Sequence, residues 1–355
     1  GLTNTFNPSG YGSSHQVAVV RQNSGSPTLG DTEFGYDARG NRTYDDNTTT
    51  MTNDRRDYTY DARGNVINVQ GKYWTGSNWR VYDLTSAFDA RNRRVYKSFH
   101  VQDTATATWF FYYDPYDRLT EVRYTPNTSD ASTYQVFQLF WVGDRLVFYW
   151  QTDQPSGNSS RRYVASDESG RPLGLWTWPE SGGTERAWAI NPSAWGFDTN
   201  VAGSSVFQSV LFKGQYSDSE TVSLHNDGST VYRPPVAVNG FRTYDAFIGG
   251  YSQVDPFVPR TWSTYLYADG NPVGHSDTNG LFVDKGDGND HHGCGDLKAC
   301  NGDTPVFGGD PWTGNLGFWN WDDDSNPWGY GGGGGGHAAG AARIRFCPAL
   351  HCPGH

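Results

Sequence analysis

Along the first part of the chain, short aromatic-rich stretches alternate with polar clusters of Asp, Arg, Gly and Asn, and one arrangement returns four times. Tyr36-Asp37-Ala38-Arg39-Gly40-Asn41-Arg42, Tyr60-Asp61-Ala62-Arg63-Gly64-Asn65-Val66, Phe88-Asp89-Ala90-Arg91-Asn92-Arg93-Arg94 and Tyr113-Asp114-Pro115-Tyr116-Asp117-Arg118-Leu119 are versions of one unit. A weaker echo stands at Val142-Gly143-Asp144-Arg145-Leu146. Each unit predicts a hairpin, with an aromatic strand, a tight Asp-x-x-Gly-Asn turn and a returning strand, because Gly and Asn tolerate the positive φ of such turns and Asp caps their amides. One hairpin cannot bury its own aromatic face, so neighbours are expected to stack into a continuous twisted sheet. The plain role of each Tyr and Asp in these units is stacking and turn-capping.

Composition sharpens the same picture. The chain has 355 residues, enough for one large or two ordinary domains. With 44 Gly, 22 Tyr, 19 Phe, 14 Trp and a single Met, it describes strands and turns rather than helices, so the expected class is mostly β. Hydrophobic residues make up only 35%, yet aromatics at 15% bury large areas each, which argues for a thin core rather than disorder. The net charge of -11, with no basic stripe, excludes nucleic acid as an expected partner. No stretch approaches the roughly 18 consecutive apolar residues of a membrane span. Opening at Gly1 with no initiator Met and no apolar signal region, the chain reads as processed or as a fragment of something longer. All four cysteines lie near the C-terminus, which marks the tail as a separate module.

The repeated units resemble the YD repeats of RHS proteins, a family that includes bacterial polymorphic toxins, insecticidal toxin-complex C components and the animal teneurins. Downstream, Tyr163-Val164-Ala165-Ser166-Asp167-Glu168-Ser169-Gly170-Arg171-Pro172-Leu173 looks like the family's segment near the end of the array, and Lys213-Gly214-Gln215-Tyr216-Ser217-Asp218 like its Gly-Gln-Tyr-x-Asp stretch. The resemblance covers roughly residues 30–282 and implies hairpins spiralling into part of a β-shell that encloses a C-terminal passenger. Five regions are expected: lead-in strands over 1–35, a YD-repeat sheet over 36–180, irregular strands and loops over 181–238, a core motif acting as a plug over 239–281, and a variable Gly- and Cys-containing tail over 282–355. Between Glu220 and Asn239 the sequence departs from the family's spacing with a polar insertion around Arg233-Pro234-Pro235, read as a surface loop or an extra hairpin. Trp188 and Trp195 could contact sugars, but core packing is the simpler role.

The most specific stretch contains Gly240-Phe241-Arg242-Thr243-Tyr244-Asp245, Val254-Asp255-Pro256, and Ser276-Asp277-Thr278-Asn279-Gly280-Leu281. It resembles the RHS-associated core signature, in which an Arg, an Asp-Pro and an Asp-x-x-Gly-Leu follow in that order. The resemblance implies an aspartyl-type autoprotease with Arg242, Asp255 and Asp277 at the functional positions and the scissile bond at Leu281-Phe282. Thr278 stands where the family usually has Pro. The chemistry needs two carboxylates close in space, because like charges a few ångströms apart cannot both ionise at neutral pH, so that one serves as base and the other as acid. Arg242 would orient one carboxylate or stabilise the developing oxyanion. The competing reading is structural, since Asp255 before Pro256 and Asp277 before Gly280 are also good turn residues.

In the tail, bridges among Cys294, Cys300, Cys347 and Cys352 are the preferred use of the cysteines in an exported chain. A zinc site with His291, His292 and His355 is the sharper alternative, though the cysteine spacings fit zinc poorly, and the Asp284–Asp290 and Asp322–Asp324 clusters match no EF-hand loop. No metal or cofactor is expected. The expected function is therefore an extracellular or exported bacterial shell segment that cuts itself after Leu281. Its expected partners are its own tail, further shell sequence or other copies. The alternative, from another class, is a non-catalytic structural or adhesive repeat protein that self-assembles or contacts glycans. A carbohydrate-active enzyme is a third reading, weakened by the absence of a recognisable pair of glutamates.

Overall fold

The structure, a computed structural model, describes residues 2–6, 16–22, 32–47, 55–74, 78–143, 145–167, 169–177, 185–197, 199–202, 208–224, 231–256, 264–281 and 283. The chain begins with strands β1 (Leu2–Phe6), β2 (Val17–Gln22), β3 (Thr32–Tyr36) and β4 (Arg42–Asn47). It continues through β5 (Arg55–Tyr60), β6 (Val66–Trp74), β7 (Trp79–Phe88), β8 (Arg94–Val101), β9 (Thr106–Tyr113) and β10 (Leu119–Thr125). Then come β11 (Tyr134–Val142), β12 (Arg145–Gln154), β13 (Ser159–Ser166), β14 (Pro172–Thr177), β15 (Glu185–Asn191) and β16 (Thr199–Ala202). These sixteen strands pair in sequence order, each antiparallel to the next, into one open sheet. The mostly-β class read from composition is what the chain forms, and the described residues contain no α-helix, only short 3-10 turns. No helix among them is long and apolar enough to cross a membrane.

The turns show why the repeated residues are needed. In the first, Asp37 Oδ1 accepts the backbone N–H of Arg39 (2.9 Å) and of Asn41 (2.8 Å), while Oδ2 accepts Asn41 Nδ2 (3.0 Å). Asp61, Asp89 and Asp114 repeat the arrangement with the residues two and four places on. Asp167 does the same with Ser169 and Arg171, which makes a fifth copy in a segment whose likeness to the other four is faint in the sequence. The fourth turn position has positive φ in every copy, at Gly40 (84°), Gly64 (89°), Asn92 (59°), Asp117 (62°) and Gly170 (81°). Neighbouring turns are stitched side by side. Arg63 Nη1 donates to the Asp89 carbonyl (2.7 Å), Arg93 Nη1 reaches Asp117 (2.8 Å) and Arg118 Nη1 reaches the Gly143 carbonyl (3.2 Å).

One face of the sheet is a continuous apolar layer that includes Val69, Leu84, Val122, Phe137 and Leu175, all buried. Trp188 belongs to this layer, so its expected packing role holds, while Trp195 is half-buried. Against the layer sits a smaller sheet of β17 (Tyr216–Ser217), β20 (Ala237–Asn239), β21 (Arg242–Asp245) and β22 (Gly250–Tyr251), paired in that order. Between β17 and β20, β18 (Ser223–Leu224) and β19 (Val231–Arg233) form a separate hairpin. The insertion is thus the extra hairpin among the two expected forms, and Arg233 at its end is buried rather than on the surface.

What fastens the small sheet to the large one is charge. Arg42 of β4 donates to Asp245 of β21 (2.5 Å), and Asp45 beside it pairs with Arg56 of β5 (2.9 Å) and with Arg233. Two hairpins further on, Arg94 and Lys97 of β8 reach Asp218 (2.6 and 3.2 Å), and Lys97 also pairs with Glu220 (3.0 Å). Lys97 in addition lies over the Trp109 ring, 4.0 Å from its centroid. Burial opposes ionisation of Asp218, but the neighbouring Arg94 and Lys97 outweigh it and hold its carboxyl below the usual range. Asp45 is likewise held well below that range by Arg233, Arg56 and Arg42 against the cost of burial.

Groups whose folded pKa is depressed contribute stability that is present above the unfolded pKa and lost as pH falls through the folded one. The unfolding midpoint is therefore expected to fall steeply below about pH 4. Asp218→Asn, which leaves two buried cations short of a charge, should cost about 3–5 kcal/mol at neutral pH and flatten that dependence, as read by urea titration.

Candidate functional site

The three residues singled out by the ordered motif meet in the small sheet. Arg242 opens β21 and lies opposite Asn239 of β20 across a turn at Gly240 (φ 56°). Asp255 follows β22, its N–H bonded to the Thr264 carbonyl (2.9 Å). Asp277 begins the turn that ends at Leu281, with Oδ1 accepting the N–H of Gly280 (2.7 Å) and of Leu281 (3.1 Å). One guanidinium binds both acids: Arg242 Nη1 stands 3.4 Å from Asp255 Oδ2, and Nη2 stands 3.3 Å from Asp277 Oδ2. All three side chains are at least nine-tenths buried.

The site is held by close backbone approach. Phe241 N–H donates to the Asn279 carbonyl (3.0 Å), and Arg242 Nε donates to the Gly280 carbonyl. Gly280 has φ 77°, and a Cβ there would sit 2.3 Å from the Asn239 carbonyl oxygen, so only glycine fits. Thr278, in the place the resemblance gives to Pro, is exposed and leaves this geometry intact. Below lies an aromatic cluster in which Phe212 and Tyr244 stack at 5.4 Å and Tyr267 lies 4.9 Å from Tyr244. Burial pushes the Asp277 carboxyl up, opposed by Arg242 and by the hydrogen bond from Tyr251. Two acids sharing one buried cation can divide the roles of proton donor and acceptor.

Leu281 is buried and its amide N–H is held by Asp277 Oδ1. Phe282 lies outside the described residues, as do the tail cysteines Cys294, Cys300, Cys347 and Cys352 and the histidines weighed with them. Reasoning from sequence missed Tyr251, Asn239 and Tyr267, which surround Asp277, and the cations Arg42, Arg56, Arg94 and Lys97 that seat the small sheet. A signal for two of these exists. Arg42 and Arg94 follow their turns at the position where sister repeats carry Val66, Leu119 and Pro172, so a charge there marks a partner arriving from elsewhere.

No family model matches this sequence, and no curated protein matches it. Among solved structures, the chain is similar to a TcdB2-TccC3-Cdc42 complex, at 15% identity and a TM-score of 0.38 over 79% of this chain and 18% of that one. A TcdB2-TccC3-TEV structure matches at 13% identity and a TM-score of 0.35, and the pore of a Photorhabdus luminescens Tc holotoxin at 11% and 0.27, with the same shares covered. The chain spans 18% of the length of each.

Gly280→Ala is expected to lower stability by more than about 1 kcal/mol, because the new Cβ meets the Asn239 carbonyl in a backbone conformation alanine disfavours; the urea midpoint reads this directly.

Proposed function

We propose that this chain is a segment of an RHS-type shell that is exported from a bacterium, and that it cuts its own backbone once, after Leu281, so that the C-terminal tail is released or retained as a passenger. The observation that carries the reading is the single buried guanidinium of Arg242 shared by Asp255 and Asp277, with the Leu281 amide held on Asp277. In the step, water adds to the Leu281 carbonyl carbon as one of its protons passes to an ionised carboxylate, while a protonated carboxyl donates to the carbonyl oxygen. Collapse breaks the C–N bond, the Phe282 nitrogen takes a proton, and the products are a Leu281 carboxyl group and a Phe282 amine. Because the bond is tethered beside the groups that act on it, effective concentration replaces substrate affinity.

A second reading, an inert structural or adhesive sheet, is favoured by the outer face. There Phe140, Phe148 and Tyr163 form a ring-to-ring ladder at 5.3 Å spacing across three strands, with Phe140 and Tyr163 exposed. Intact-mass measurement of the freshly folded 355-residue chain decides between the two. Fragments corresponding to residues 1–281 and 282–355 are expected, with Asp255→Asn and Asp277→Asn each leaving one full-length mass. A single full-length mass from the unaltered chain would sink the proteolytic reading and leave the structural one.

A further inference from the structure

The two aspartates are not equivalent, and Tyr251 is the reason. Asn239 Nδ2 lies 2.8 Å from the backbone carbonyl oxygen of Asp277 and 2.7 Å from the Tyr251 hydroxyl. A carbonyl oxygen only accepts, which fixes the end of the Asn239 amide that faces both groups. The Tyr251 oxygen therefore accepts from Asn239, and its one hydrogen is committed to Asp277 Oδ2, 2.8 Å away. Asp277 then receives four donors: Tyr251 and Arg242 Nη2 on Oδ2, and the Gly280 and Leu281 amides on Oδ1. A carboxylate offers about four acceptor positions, so this set favours the ionised form, against the burial that pushes the carboxyl up. Tyr251 also lies under Arg242, whose Cζ is 3.7 Å from the ring centroid, so one side chain fixes both the cation and the acid.

We propose, resting on the self-cleavage reading above, that Tyr251 is a positioning residue that commits its proton to Asp277 and favours the ionised form of that carboxyl, so that Asp277 accepts the proton of the attacking water and Asp255 is the acid. Asp277 takes a proton from the water that adds to the Leu281 carbonyl carbon, while Asp255 donates its own to the carbonyl oxygen. As the C–N bond breaks, Asp277 passes that proton to the Phe282 nitrogen and Asp255 takes its own back from the hydroxyl, so one water is consumed and both carboxyls end as they began. Asp277 Oδ1 holds the Leu281 amide in place throughout. Among the described residues, the charged and titratable groups facing Asp277 are Arg242, Tyr251, Tyr267, whose oxygen accepts the Asp277 N–H at 3.2 Å, and Asp255 across the shared guanidinium.

Tyr251→Phe keeps the ring beneath Arg242 and removes only the donated hydrogen. The acid limb of the self-cleavage rate against pH, measured by the appearance of the 1–281 fragment, is expected to move up by about one unit. A loss of rate that is equal at every pH, with the limb in place, would mark Tyr251 as merely structural and overturn the proposal. A carboxyl-carbon NMR titration of the unaltered chain adds a readout independent of cleavage, since Arg242, Tyr251, Asp255 and Asp277 all precede the bond. Asp277 should lose its proton at lower pH than Asp255, and the reverse order would overturn the assignment even if Tyr251→Phe failed to fold. Absence of fragments together with the expected titration order would remove the cleavage reading and keep the Tyr251–Asp277 assignment.

Discussion

Buried opposite charges join the two sheets, and the rest of the molecule is arranged around that constraint. Arg42, Arg94 and Lys97 project from the large sheet into its apolar layer, where an unpaired cation would cost several kcal/mol. Each finds its counter-charge far along the chain, on Asp245 for Arg42 and on Asp218 and Glu220 for the other two. An apolar contact tolerates sliding. A guanidinium and a carboxylate at 2.5 Å do not, so these pairs set where the small sheet lies as well as whether it binds.

That fixed placement reaches the candidate site through short paths. Asp245 and Arg242 are the two ends of β21, so the strand anchored to the large sheet by one end presents Arg242 from the other. Hydrogen bonds from the small sheet to the turn edge add to the anchor. Gln253 Nε2 reaches the Gly64 carbonyl (3.2 Å), Tyr265 donates to the Gly40 carbonyl (2.6 Å), and the Arg42 N–H donates to the Ser252 carbonyl (2.8 Å). The positive-φ turns of the repeats thus serve twice, closing hairpins and offering carbonyls to the segment that carries the acids. Gly280 and Gly240 then let the 277–281 turn press against the β20–β21 turn, closer than any side chain allows.

Much of this was legible as pattern. The hairpin unit could be read from Tyr36, Tyr60, Phe88 and Tyr113 with their following Asp, because the turn's hydrogen bonds are satisfied within five residues. The association of Arg242, Asp255 and Asp277 was legible only through an ordered resemblance, since nothing local to Asp255 distinguishes it from any Asp before Pro. The fifth turn at Asp167 was hidden by its polar residues, Glu168, Ser169 and Arg171, although the Asp and Gly that shape it are in place. Tyr251 gave no signal, because a tyrosine in a short strand looks the same whether it fills a core or holds a carboxylate.

The sequence by itself determined what depends on neighbours in the chain: strands with alternating faces, turns closed by Asp and opened to positive φ by Gly or Asn, and the meander that consecutive hairpins must form. Only the tertiary structure decided which buried charges pair, that Arg42 and Arg94 face inward where sister hairpins carry apolar residues, and that one arginine stands between two aspartates. The physical reason is range. Turn and strand preferences act over a few residues, whereas the pairing of Arg42 with Asp245 joins positions some two hundred residues apart and exists only once both are taken out of water.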